Sequence, residues 1–396
     1  MSSSDLPGGF RFAGVACGIK PSGKPDVSLI VGDGPLVASG VYTQNQVVAA
    51  PVQLCRSRTP SDRIRAVITN SGNANACTGQ QGEVDAAEMC RRVAEEISAT
   101  AADVLVMSTG IIGQLLPMDR VHAGIADASA RLGDTADDFA ASAEAILTTD
   151  KTSKAKCRTV KLGGQEIRIA AMAKGAGMIA PNMATLLAVV MTDAILDPQQ
   201  SQRILRHVAN QSFNCISVDG HTSTNDTLLL LSSGVCGVKI DESNEQAFVD
   251  AITDVSRDLA WQLVADGEGA SHVMKIRVTG AEDERCAAEI ARTIGASPLV
   301  KTAITGGDPN WGRIVSAAGY AKAKINPRET SLKLAGTEIY HNGVPTSFDA
   351  SEVSQAMKRE KEVELHLIVG SGPGFALHWA SDLTVEYVRF NSEYTT

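Results

Sequence analysis

The chain has 396 residues, 44% of them apolar and 20% charged, and carries a net charge of −9. That balance belongs to a globular protein with two lobes or one large α/β domain. The acidic charge, the lack of a basic run and an aromatic content of 4% argue against nucleic acid or an anionic membrane as a partner.

No apolar stretch approaches bilayer-spanning length, and the N-terminus "MSSSDLPGGF" lacks the basic-then-apolar layout of a secretory signal. The eight cysteines form no CxxC pair, which favours reduced thiols in a cytoplasmic enzyme over a zinc site or disulfide framework.

In chain order, "DVSLIVGDG" (26–34), "VASGVYT" (37–43) and "VVAAPVQLC" (47–55) are predicted as strands. "IRAVITNSGNANACTG" predicts a strand, an Asn/Gly turn and then a helix over about 82–98. "DVLVMSTGIIG" repeats that plan, with helices near 119–132 and 137–147. "EIRIAAMAKGAGM" is a strand entering a glycine-rich loop, and the apolar run 186–191 reads as a buried strand after it. Beyond 191 the order recurs: a helix in 198–213, strand–polar loop–strand in 215–234, and an amphipathic helix over about 244–264. A strand at 272–280, a helix at 281–297 and a strand-rich tail follow. This predicts an α/β (α+β) fold with many antiparallel strands and no linker between domains.

Familiar catalytic signatures are missing. "KGAG" reverses the order a phosphate-binding P-loop needs, and there is no GxGxxG, GxSxG or HExxH. Asp266, Glu268 and His272 of "DGEGASH" could be imagined around a metal, but an oxygen-rich turn after a helix is more commonly solvated. His221 in "DGHTSTNDT" could act as a base, although a structural histidine is the commoner case. Thr109-Gly110, just past a strand, forms either an ordinary turn or a nest of donors for a developing oxyanion.

Thr185 sits where the glycine-rich loop meets the apolar run. A β-branched residue is common in a strand. A peptide bond broken before Thr185, however, would set an α-amine with a pKa near ~7.7–8.0 beside a hydroxyl, a nucleophile that needs no histidine.

"AKGAGMIAPNMATLL" resembles the self-cleavage segment of the ornithine acetyltransferases, or glutamate N-acetyltransferases, of arginine biosynthesis. "TNSGNANACTG", "STGIIG", "ILTTD", "DGEGASH", "GGDPNWGRI" and "VRFNSEYTT" extend the resemblance over nearly the whole chain. It implies an αββα sandwich resembling N-terminal-nucleophile hydrolases but with different connectivity. It implies self-cleavage between Ala184 and Thr185 into an α piece, 1–184, and a β piece, 185–396, which assemble as α₂β₂ in the cytoplasm. Thr185 becomes the nucleophile, Thr109 and Gly110 the oxyanion donors, and Thr148, Lys174, Thr185, Glu268, Asn391 and Thr396 the substrate contacts. The implied reaction passes an acetyl group from N2-acetylornithine to glutamate through an acetyl-threonine ester, with ping-pong kinetics. No cofactor or metal is implied, and acetyl-CoA stays open as a second donor. The residues alone leave two rivals standing: an amidase in which water takes the acyl group, and an uncut binding protein.

Overall fold

The computed structural model describes residues 2–180 and 186–393. Ala184, Thr185 and Thr396 therefore lie outside the described residues.

The first half of the chain runs β1 (Phe10–Val15), β2 (Val27–Tyr42), α1 (Ala50–Arg58), β3 (Ser61–Asn73), α2 (Gly79–Glu96), β4 (Val104–Ile111), α3 (Met118–Ala130), α4 (Ala136–Ala145), β5 (Lys154–Leu162) and β6 (Gln165–Lys174). Then come β7 (Leu187–Thr192), α5 (Pro198–Gln211), β8 (Ile216–Ser217), β9 (Thr227–Ser232), α6 (Glu245–Ala265), β10 (Val273–Gly280), α7 (Glu284–Ala296), α8 (Pro298–Gly306) and α9 (Trp311–Gly319). The last elements are β11 (Ser331–Leu334), β12 (Thr337–His341), β13 (Val344–Pro345), α10 (Ala350–Arg359), β14 (Glu362–Ile368), β15 (Gly372–Ser381) and α11 (Val385–Glu393).

The strands form two sheets, which is the α/β (α+β) class expected above. The first has the order β4-β3-β2-β9-β7-β6-β5 with β1 paired to β2; the second has the order β13-β12-β11-β14-β10-β15-β8. Helices α1–α4 pack on one face of the first sheet. Helices α5 and α6 cover its other face, and the same core takes in Val273 and Trp379 of the second sheet. Helices α7–α10 cover one face of that second sheet.

Strands β7 and β9 are buried at every position, so both faces demand apolar side chains and the sequence reads as an unbroken run. Strand β6 pairs with β7 from Ile169↔Thr192 to Lys174↔Leu187, and β7 pairs with β9 from Leu187↔Thr227 onward. Lys174, Leu187 and Thr227 thus form one row across three neighbouring strands.

Two local expectations need correction. The stretch 47–55 is not a strand, because helix α1 begins at Ala50. Pro51 falls in the first turn, where its missing N–H costs nothing, and Ala50, Pro51, Val52 and Cys55 face the core. The strands expected at 26–34 and 37–43 are one 16-residue strand, β2, whose register against β3 shifts between Val31 and Leu36.

Candidate active site

The loops at the ends of β4 and β6, the turn after α6 and helix α11 surround a cavity of about 190 Å³. Thr109, Gly110, Thr148, Lys174, Glu268 and Asn391 all line it. Every described residue that the resemblance singled out is therefore on its wall. The volume suits a molecule about the size of an amino acid.

At one side Lys174 Nζ donates to Thr109 Oγ1 at 3.2 Å. With its oxygen so engaged, the Thr109 hydroxyl still has a proton to donate, the arrangement an oxyanion requires. Gly110 follows with φ of 136°, and a Cβ there would lie 2.2 Å from the Gly72 carbonyl carbon, so only glycine suits the turn. The buried amide of Asn225 ties this strand end down, donating to the Ser108 carbonyl at 2.8 Å and the Ala74 carbonyl at 2.6 Å.

Lys174 is only 4% exposed. Burial pulls its pKa down, while the charge of Asp150, 4.0 Å away, works against that. Burial would raise the Asp150 carboxyl, but Lys174, Lys154 and the Gly175 N–H together hold it at about 2. Lys154, itself buried, bridges Asp150 at 2.7 Å and Asp266 at 2.6 Å. A fixed ionic lattice thus stands behind Lys174 and aims it at the cavity.

On the other side Glu268 Oε1 accepts from the Thr149 hydroxyl at 2.7 Å and Oε2 from Asn391 Nδ2 at 3.1 Å. Gly177 leaves room for this carboxylate, since a Cβ there would sit 2.5 Å from Oε2. Asp219 accepts from the Met178 and Ile179 N–H groups at 2.6 and 2.9 Å, fixing the glycine-rich loop against the wall. One cation, Lys174, and two carboxylates, Glu268 and Asp219, therefore line a single small space, which matches a ligand carrying both signs of charge.

The sequence reading missed Thr149, Gly177, Asp219 and Tyr387 on this wall, and it favoured a structural role for His221, which also lines the cavity. The dense polar run 219–226 was the available signal. Asp266, Glu268 and His272 diverge: Asp266 goes to Lys154, Glu268 to the cavity, and His272 Nδ1 to Asp382 at 3.3 Å.

The ArgJ family model matches residues 11–396. The chain belongs to the ArgJ family. The arginine biosynthesis bifunctional protein ArgJ of Rhodopirellula baltica is 57% identical, over all of this chain and 97% of that protein. Its counterpart from Symbiobacterium thermophilum is 44% identical over 98% of each. The crystal structure of the ArgJ protein of Bacillus halodurans is 35% identical with a TM-score of 0.51, covering 52% of this chain and 98% of that one. Membership in the ArgJ family makes the chain an enzyme of arginine biosynthesis with acetyltransferase activity.

Proposed function

We propose that this enzyme moves an acetyl group from N2-acetylornithine to glutamate, with Thr185 as nucleophile, after cutting itself between Ala184 and Thr185 into 1–184 and 185–396. The observation that carries the reading is the cavity. It joins a hydroxyl and a glycine turn suited to an oxyanion with a cation and a carboxylate suited to an amino acid. Its wall is built from both sides of residue 185, and Leu186, next in the chain, lies beside Thr109 and Lys174. The Bacillus chain is covered almost end to end yet spans only about half of this one, the size that either product of such a cut would have.

In the first half-reaction the Thr185 hydroxyl attacks the acetyl carbonyl, its proton passing to the α-amine of the same residue. The negative oxygen is held at Thr109 and Gly110, and the amine of ornithine leaves with a proton. An acetyl ester remains on Thr185. Glutamate's amine attacks that ester, N-acetylglutamate departs, and the hydroxyl is restored. Lys174 pairs with the substrate carboxylate and Glu268 with an ammonium, while Thr148, Asn391 and Thr396 complete the contacts. No metal or cofactor takes part. Acetyl-CoA is a candidate second donor, and α₂β₂ assembly in the cytoplasm completes the reading.

The test is intact mass and N-terminal sequencing of purified protein, then brief exposure to N-acetylornithine alone. The reading expects two pieces, the second starting at Thr185 and gaining one acetyl group that glutamate removes as N-acetylglutamate. An ester that clears equally fast as free acetate without glutamate overturns it in favour of an amidase.

A further inference from the structure

We propose that the Tyr387 hydroxyl meets the side-chain end of both substrates, and so lets one cavity take an ammonium in one half-reaction and a carboxylate in the other. Tyr387 is then a specificity-determining residue. The proposal rests on the transfer reading above.

The two substrates set a conflict. With their α-carboxylates paired to Lys174, the side-chain ammonium of N2-acetylornithine and the γ-carboxylate of glutamate lie the same number of bonds from Cα. They reach the same part of the cavity with opposite charge. Glu268 and Asp219 line the cavity, and Lys174 is the one lysine or arginine on it among the described residues. Two carboxylates suit an ammonium and repel a third carboxylate. A neutral donor between them relieves the conflict.

Most donors beside Glu268 are spent. The Thr149 hydroxyl donates to its Oε1 at 2.7 Å. The Asn391 amide donates to its Oε2 and to the Tyr387 carbonyl, each at 3.1 Å. The Tyr387 hydroxyl differs. It donates to Asp219 Oδ2 at 3.4 Å, the edge of hydrogen-bonding range. Asp219 does not depend on that bond, because the Met178, Ile179 and His221 N–H groups already donate to it at 2.6, 2.9 and 3.1 Å. The phenol proton is therefore free to turn elsewhere at small cost. Burial and the charges of Asp219 and Glu268 push the phenol up to about 12, so it keeps that proton near neutral pH. A phenol oxygen accepts as well as donates. It accepts from the ammonium that the carboxylates attract, and it donates to the γ-carboxylate that they repel.

The residue is held for this task. A Cβ on Gly269, next to Glu268, would lie 2.3 Å from the Tyr387 nitrogen, so glycine lets helix α11 approach that turn. The Thr384 hydroxyl donates to the Gly269 carbonyl at 2.7 Å and accepts the Tyr387 N–H at 3.3 Å. Phenol and Glu268 are thus fixed to one turn. The Thr148 hydroxyl and the His221 ring line the same cavity and are the rival donors.

Tyr387→Phe removes the hydroxyl alone. The matured protein is first acetylated with N2-acetylornithine, and clearance of the acetyl group is then followed with glutamate or with ornithine as acceptor. A hydrogen bond to a charged group is worth about one to two decades, so the second-order rate constant for glutamate should fall about 10- to 100-fold. That for ornithine should fall far less, since Glu268 and Asp219 still hold its ammonium. A merely structural role would slow both acceptors alike. A second measurement uses the wild type alone: the ratio of the two rate constants between about pH 6 and 8, where an imidazole titrates and a phenol does not. Lys174 grips the α-carboxylate of both acceptors and cancels, so the ratio should stay level. An equal loss with both acceptors, no loss with glutamate, or a wild-type ratio that drops as pH rises overturns the Tyr387 role while leaving the transfer reading intact. A wild type whose acetyl group never passes to glutamate overturns both.

Discussion

Replacing Gly177 by alanine probes the carboxylate side of the cavity with a single methyl group. No unusual φ is needed at Gly177, so the backbone tolerates the change. The new Cβ would lie 2.5 Å from Glu268 Oε2, 2.7 Å from its Cδ and 2.8 Å from Oε1. Ordinary contact needs about 3.5 Å, so the carboxylate must retreat by roughly 1 Å. Its bonds of 2.7 Å to Thr149 and 3.1 Å to Asn391 then stretch beyond hydrogen-bonding range. The crowded atoms are the free end of a side chain at a cavity, so the fold loses little. The site loses its placed charge, and a lost charge-assisted hydrogen bond is worth about 1.5–3 kcal/mol, or roughly one to two decades in kcat/KM. The assay is acetyl transfer from N-acetylornithine to glutamate on matured protein, with thermal melting as control. Unchanged kinetics with unchanged melting would refute the idea that Glu268, held where it is, grips the substrate.

Thr185→Ala should stay one chain and be inactive, while Thr185→Ser should retain some cleavage; denaturing electrophoresis decides, and efficient cutting of the alanine variant removes Thr185 from the chemistry. Lys174→Ala should melt below the wild type, because Asp150 loses a nearby cation, and once matured should lose about one to two decades in kcat/KM at a temperature where it stays folded; normal kinetics would exclude its role as carboxylate partner. Asp150 titrates near 2 in the fold against about 3.8 when free, so its stabilisation is complete above the free value and vanishes as pH falls through 2. The corresponding linkage is about 2 kcal/mol. Asp150→Asn should therefore be clearly less stable than wild type at pH 6, and urea unfolding near pH 3 should show a smaller gap; a constant gap refutes the linkage.

Much of this was legible where the physics is local. Strand β7 announced itself because burial on both faces allows nothing but apolar residues, and α6 because its apolar positions recur at helical spacing. The stretch 47–55 misled because paired valines favour a strand, whereas Pro51 and the packing of one face decide for a helix. Of the residues that line the cavity, Thr109, Gly110, His221 and Glu268 stood out as candidates from the sequence itself, whereas Thr148, Lys174 and Asn391 came only through whole-chain resemblance. Spacing could not bring Tyr387 to Asp219, 168 positions earlier, or show Gly177 as the space that holds Glu268. Lys154 in "TSKAKCR" looks like any surface lysine, and only the folded chain shows it buried between two carboxylates.

The ladder between β6 and β7 would give the proposed self-cleavage an unusual thermodynamic sequel. Residue pairs from Ile169↔Thr192 to Lys174↔Leu187 join the segment before residue 185 to the segment after it, and the site draws walls from both. A break between them severs the polymer without dividing the cooperative unit, so the halves should travel together through any native separation. Once denatured they become two molecules, and refolding becomes a second-order encounter. The melting temperature of the cut enzyme should then rise with protein concentration, whereas that of an uncut variant, if monomeric, should not.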